Sequence, residues 1–211
     1  IIIMLFSHSC ETRPGPEFLT RRYKFHPKDN TFSFHLFFYA DHQCHQPAFT
    51  YKVKGSISLQ GEYLLLEGAT EADYILNKVV LYIYQDHYAR TLTNLLNATC
   101  PGDMFTETLP LFQKHTIFDW TRDDPYGDCI NGVAFTMNEL QLLRQELHTE
   151  FDTRTAEFVS WEELFLGDIH TDRTRKILHR PKMYQTPLRK YQVGCNSLVY
   201  LTLCIVVSVY Q

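Results

Sequence analysis

The sequence contains no Cys-x-x-Cys pair, no Gly-x-Ser-x-Gly, no His-Glu-x-x-His and no Gly-x-Gly-x-x-Gly. The first absence removes zinc-finger and thioredoxin-type readings. The others remove the nucleophile-elbow, zinc-protease and dinucleotide signatures. Basic charge is also in short supply: 20 Lys and Arg against 24 Asp and Glu leave a formal net charge of -4, so the chain as a whole has no attraction for nucleic acid. Its densest basic stretch, Arg173, Arg175, Lys176, Arg180 and Lys182 with Arg189 and Lys190, interleaves little with aromatics that could stack bases. No repeat and no low-complexity linker divides the 211 residues. The run LVYLTLCIVVSVYQ (198–211) is shorter than the roughly 20 residues that span a bilayer and has no basic stop-transfer segment after it. A late core strand or a stretch foreign to the folded domain ranks ahead of a truncated span.

What is present points outside the cytosol. Cys10, Cys44, Cys100, Cys129, Cys195 and Cys204 are even in number and widely spaced, as in a disulfide-bonded chain. Asn97-Ala98-Thr99, immediately before Cys100, is an N-glycosylation sequon. The opening IIIMLF is apolar like the tail of a signal peptide but lacks a basic segment before it.

Period-2 alternation predicts strands over Phe18 to Phe25, over TFSFHLFFY (31–39) and through Phe49, Tyr51 and Val53 to Ile57 and Leu59. It also predicts EYLLLE (62–67) and DYILNKVVLYIYQ (73–85). In the second strand Phe32, Phe34, Leu36 and Phe38 share one face. Tyr88, Leu92, Leu95 and Leu96 recur at helical spacing over 86–97, with Asp86 available as a cap. Residues 101–128 read as loop with a short strand near Ile117 to Trp120, and CINGVAFTM (129–137) reads as a strand. NELQLLRQEL (138–147) is open between a helix and a strand–turn–strand. So aromatic a sheet (Phe 15, Tyr 13) must hide one face, either by closing into a barrel or by packing as a sandwich.

EELFLGDIHTD (162–172) gathers carboxylates and an imidazole. If it were extended, Asp168, His170 and Asp172 would share a face, as a metal site requires. Glu162 or Glu163 with Asp168 would suit acid–base work, but no nucleophile or oxyanion motif accompanies them. A structural hydrogen bond from His170 to Asp168 or Asp172 is the favoured reading. His42 and His45 flank Cys44 and, with His26 and His35, read as turn or surface residues. No metal, no cofactor and no catalysis is expected.

Several peptides carry a resemblance. SCETRPGPEFLTR (9–21), GATEADY (68–74), ATCPG (98–102), NELQLLR (138–144), EELFLGDIHTD (162–172) and RPKMYQTPL (180–188) occur in chain order. They closely resemble the first domain of the adenomatosis polyposis coli down-regulated 1 family. The resemblance implies membrane-anchored glycoproteins of the cell exterior that antagonise Wnt signalling. In such proteins two similar domains precede a C-terminal anchor, and each domain is β-barrel-like with a hydrophobic cavity suited to the lipid on Wnt. It places a domain at 9–190 and leaves 191–211 as a divergent apolar tail that is not the family's anchor. Cys10, Cys44, Cys100 and Cys129 fall in matching cysteine-bearing segments, and Asn97 at a matching sequon. Nearest-neighbour pairing across element borders then predicts Cys10–Cys44 and Cys100–Cys129, with Cys195 and Cys204 either free or paired together.

The expected molecule is a mainly β, antiparallel barrel-like domain with one or two short helices, secreted or held at the cell surface. It is an inhibitor of Wnt signalling that takes up a lipid or a lipidated Wnt through an apolar barrel cavity, with a Wnt co-receptor as a further candidate partner. Phe32, Phe34, Leu36, Phe38, Phe49, Tyr51 and Val53 are the expected ligand-facing residues. The alternative is a non-enzymatic extracellular protein-binding or structural module that takes up no lipid.

Overall fold

Alternation of side chains builds the centre of the computed structural model, which describes residues 2–100, 107–121, 129–133 and 135–190. In β4 (Thr31–Tyr39) Phe32, Phe34 and Leu36 are buried while Ser33 and His35 lie on the other face. Leu19, Arg21 and Tyr23 of β3 (Glu17–His26) point the same way, as do Tyr51 and Val53 of β5 (Pro47–Glu62) and Val79, Leu81 and Ile83 of β6 (Thr70–Ile83). Tyr23 stacks on Phe34 at 4.2 Å between ring centroids and Phe38 on Phe49 at 4.4 Å, cross-strand pairs that lock the register. The ladder shifts between Lys54 and Gly55. Gly55 is needed there: a Cβ would come 2.5 Å from the Ile75 carbonyl oxygen and 2.7 Å from the Phe32 ring.

After β6 the chain turns into α1 (Asp86–Thr99), which buries Ala89, Leu92, Thr93 and Leu96 against the sheet. Asp86 is not its cap; Gln85 holds that position, and Asp86 sits in the first turn, where its charge complements the helix dipole. The short β7 (His115–Asp119) pairs with β6. The expected strand over 129–137 is corrected: α2 (Cys129–Gly132) occupies its start, and Phe135 and Met137 are buried beyond it. A 3₁₀ turn at Asn138–Gln141 leads into β8 (Leu142–Asp152), so NELQLLRQEL is one helical turn followed by a strand. β9 (Glu157–Leu166), α3 (Arg173–Lys176) and β10 (Leu188–Lys190) complete this half. The expected strand EYLLLE is instead the end of β5 and a turn, with Leu64 and Leu65 exposed. Strands begin earlier than Phe18, at β1 (Ile3–Ser7) and β2 (Glu11–Arg13). The apolar run 198–211, Cys195 and Cys204 lie outside the described residues.

All ten strands belong to one antiparallel sheet, in the order β1-β10-β9-β8-β6-β5-β4-β3-β2, with β7 beside β6 and β1 also pairing β3. The expected β-barrel is corrected. The sheet does not close as a uniform ladder: β6 and β8 meet at only Thr70–Leu143 and Glu71–Leu142, whereas the β8–β9 hairpin is paired from Leu143–Leu166 out to Asp152–Glu157. Nor, among the described residues, does it enclose a barrel-wide cavity, because Leu19, Tyr23, Phe32, Phe34, Val79 and Leu81 fill the space between its inner faces at 2% exposure or less. Closing a larger barrel demands a consistent stagger and tilt of every strand. Here the chain between β6 and β8 forms α1, β7 and α2 instead.

The two chain halves are joined through a buried guanidinium. Arg21 is 1% exposed; its Nε donates to Glu11 Oε1 at 2.8 Å and its Nη2 to the Thr186 carbonyl at 2.6 Å. Ser7 Oγ accepts from the Arg21 backbone N–H and donates to the same Glu11 oxygen. Disulfides join Cys10 to Cys44 and Cys100 to Cys129, closing separations of 34 and 29 residues, each worth about 3–4 kcal/mol in the chain-entropy account.

Arg21 Nη1 has no hydrogen-bond partner among the described residues, so the network stabilises only while its charges match. Arg21→Met is expected to lower unfolding free energy by about 3–5 kcal/mol, because Glu11 is left buried without a cation. Arg21→Met with Glu11→Leu recovers most of that loss in urea unfolding of the oxidised protein. Equal destabilisation of the single and double variants would show that shape, not charge pairing, is what Arg21 contributes.

Candidate functional site

EELFLGDIHTD spans the end of β9 and the turn beyond it, and each of its carboxylates, with His170, is engaged locally. Glu162 accepts from Lys190 Nζ at 2.7 and 2.8 Å and from Gln145 Nε2 at 3.0 Å, tying β9 to β10 and β8. Glu163, 8% exposed, accepts from Arg189 Nε at 3.1 Å and Trp161 Nε1 at 3.0 Å. Gly167 ends the strand: its N–H reaches the carbonyls of Glu139 and Leu142, and any Cβ there would overlap the Pro181 ring. Asp168 accepts from the backbone N–H groups of Lys182 (2.7 Å) and Met183 (3.0 Å) and pairs with His179 Nε2 at 2.9 Å. His170 Nδ1 accepts from the Asp172 N–H, and Asp172 caps α3 through the Thr174 N–H. The side chains therefore diverge into separate structural bonds. Among the described residues no group of three or more His, Cys, Asp or Glu is placed to hold a metal ion.

The seven residues expected to face a ligand do share the inner face, but in two environments. Phe32 and Val53 are packed at 2% and 1% exposure. Phe34, Leu36, Phe38, Phe49 and Tyr51 border a recess of about 210 Å³ under α1, whose remaining wall includes Arg13, Glu17, Glu139 and Lys176. Tyr23 Oη donates to Glu139 at 3.1 Å, and burial followed by that carboxylate's charge pushes the Tyr23 hydroxyl well above its ordinary value. Burial likewise lowers Arg13, with Arg21 adding to the effect. A recess smaller than the roughly 300–1,000 Å³ of ordinary ligand pockets, and walled by four charged side chains, does not suit an acyl chain. The expected lipid-holding barrel cavity is overturned.

Sequence reasoning missed a different surface. Ile3, Leu5, Phe25, Ile57, Leu143 and Leu164 line a cleft of about 260 Å³ at the end of the sheet where β1, β5 and β9 converge. Leu59 lies on its rim at 66% exposure. The same face of the β8–β9 hairpin continues outward through Leu147, 70% exposed, to the cross-strand pair Phe151–Phe158, whose rings stack edge-on at 5.1 Å. Phe158 is 75% exposed. A row of large apolar side chains left in water along a projecting hairpin marks an interaction surface. The alternation of Leu147, Phe151 and Phe158 with polar neighbours was the available signal, but it reads identically for a core-facing strand.

No helix among the described residues is long and apolar enough to cross a membrane. A family model described as adenomatosis polyposis coli down-regulated 1 matches residues 3–208.

Asp168 generates a pH prediction. Burial opposes its ionisation, but the Met183 and Lys182 N–H groups and His179 outweigh it and hold the carboxyl below its ordinary value. A depressed folded value contributes stability that is complete above the unfolded pKa of about 3.9 and is lost as pH falls through the folded value. Asp168→Asn is therefore expected to cost about 1–2 kcal/mol at neutral pH. The gap to the unsubstituted protein should narrow below about pH 4 in thermal unfolding.

Proposed function

The chain belongs to the adenomatosis polyposis coli down-regulated 1 family, which links it to Wnt signalling, and from that membership we propose that it is a non-enzymatic extracellular module that lowers Wnt signalling by binding a pathway protein, without taking up lipid. Family members are secreted or cell-surface proteins, in keeping with two disulfides that an oxidising compartment sustains. The observation that carries the reading is the exposed apolar row Leu59, Leu147, Phe151 and Phe158. Its aromatics are the kind of anchor around which protein interfaces concentrate binding energy. The partner is a Wnt protein or its co-receptor, met through polypeptide surface rather than through the acyl group.

The test is surface binding of the purified domain to an immobilised Wnt protein and to a co-receptor ectodomain. Phe158→Asp with Leu147→Asp is expected to weaken binding at least about tenfold, since truncating a hot-spot anchor costs about 2 kcal/mol or more. Both positions are exposed, so stability should change little. An acylated Wnt and its unacylated form should bind alike; binding that required the acyl group would overturn the reading.

Asn97 lies in the last turn of α1, where the Thr99 hydroxyl donates to the Leu95 carbonyl at 2.6 Å. We propose a glycan there. Protein secreted from animal cells should gain gel mobility on glycosidase treatment, and Asn97→Gln should already migrate at the faster position.

A further inference from the structure

The outer face of β3–β6 is lined with cations, although the chain as a whole carries a net charge of -4. Register explains why they gather. Arg22 lies opposite His35, and His35 opposite Lys52; Lys24 lies opposite Ser33, Ser33 opposite Lys54, and Lys54 opposite Lys78. Lys114, just before β7, joins Lys52, Lys54 and Lys78 around a shallow depression of about 280 Å³. Strands lie about 4.8 Å apart, so the row from Lys24 to Lys78 crosses roughly 15 Å of sheet. Among the described residues only Lys78 of this row is matched by a carboxylate, Asp119 at 2.5 Å. No acidic partner stands within ion-pair distance of Arg22, Lys24, Lys52, Lys54 or Lys114 among the described residues.

Two further observations describe this face. Lys52 lies 4.5 Å from the centre of the Tyr82 ring and Arg22 5.8 Å from that of Phe37, so aromatic faces support the cations from the side. His35, between them, is held to a pKa of about 4 by burial and then by repulsion from Arg22 and Lys52. The imidazole between the two cations is therefore neutral at physiological pH and adds no charge of its own to the row.

We propose that the outer face of β3–β6 is a binding site for a sulfated glycosaminoglycan. A linear polyanion fits because the cations form a ladder across a broad, solvated face rather than a pocket. Lysines dominate, as compact point charges that pair with anionic groups without requiring the fork geometry of arginine. A protein partner fits less well: Val80, the outer-face valine bordering the depression, is 6% exposed, so the depression itself offers little apolar surface to dehydrate. This site is on the opposite face of the sheet from the inner recess. It rests on the extracellular reading only for the choice of sulfated sugar over other polyanions.

The experiment uses the whole chain, titrated against immobilised heparin, chemically desulfated heparin and a poly-glutamate peptide. Heparin should bind with an affinity that falls on the order of 100-fold between about 50 and 200 mM salt, as counterion release requires. Lys52→Glu with Lys54→Glu should weaken it at least about tenfold, with an unchanged circular dichroism spectrum. Arg175→Glu with Lys182→Glu, an equal change in net charge elsewhere, should not. The Phe158→Asp and Leu147→Asp variant should retain heparin binding, which separates this site from the protein-contact surface. Equal binding of desulfated heparin, equal loss in the Arg175 and Lys182 control, or binding of poly-glutamate as tight as heparin would each overturn the proposal; the last outcome would assign the face to an acidic protein instead.

Discussion

A charged side chain in the middle of an apolar face holds this domain together. Arg21 stands between Leu19 and Tyr23 on the inner side of β3, where alternation calls for another apolar residue. Its guanidinium reaches Glu11 in β2 and the Thr186 carbonyl just before β10, and its backbone N–H reaches Ser7 at the end of β1. Those segments come from opposite ends of the described chain, and the guanidinium reinforces the β1–β10 ladder that also joins them. The short strands β1, β2 and β10 offer few ladder bonds of their own. A planar donor set that serves several acceptors at once gives the seam a geometry that apolar packing alone leaves loose.

The acidic stretch after β9 performs the complementary task. Glu162 and Glu163 bind the two basic residues of β10, Gly167 lets Pro181 close over the strand end, and Asp168 gathers the N–H groups of Lys182 and Met183. Asn138 extends the same arrangement: its amide nitrogen donates to the carbonyls of Lys176, Ile177 and His179, and its oxygen accepts from the Tyr74 hydroxyl. Residues that look like a catalytic cluster in one dimension are thus the ties of a connection that has little apolar surface to bury.

Three faces of the sheet follow from this construction. The inner face is filled by aromatic packing, the outer face of β3–β6 is hydrated and cationic, and the projecting β8–β9 hairpin shows apolar side chains to solvent. A filled interior leaves the exterior surfaces as the places for recognition. Surfaces on separate faces can be occupied together, and linked weak sites gain effective concentration when they act on one assembly.

Local periodicity by itself determined β3, β4, the paired course of β5 and β6, and α1, because side-chain alternation and the recurrence of Leu92, Leu95 and Leu96 are short-range properties of the chain. It also showed that Phe32, Phe34, Leu36 and Phe38 share a face. What covers that face was decided only in three dimensions: Tyr23, Ile83, Leu92 and Leu96, from other elements, belong to the same core cluster. The opening apolar run became β1 from Ile3 onward because β10 and β3 accept its backbone on both sides, and the strand expected from Cys129 gave way to α2, whose Cys129 is bonded to Cys100 at the end of α1. EYLLLE, equally apolar, pairs with β6 only at Glu62 and turns beyond it, leaving Leu64 and Leu65 in water. Leu147 and Phe158 repeat with the same period as Phe32 and Phe34 yet lie in water, since the hairpin runs beyond the elements that would cover it. Periodicity records which side chains point together; burial depends on what distant segment arrives opposite them.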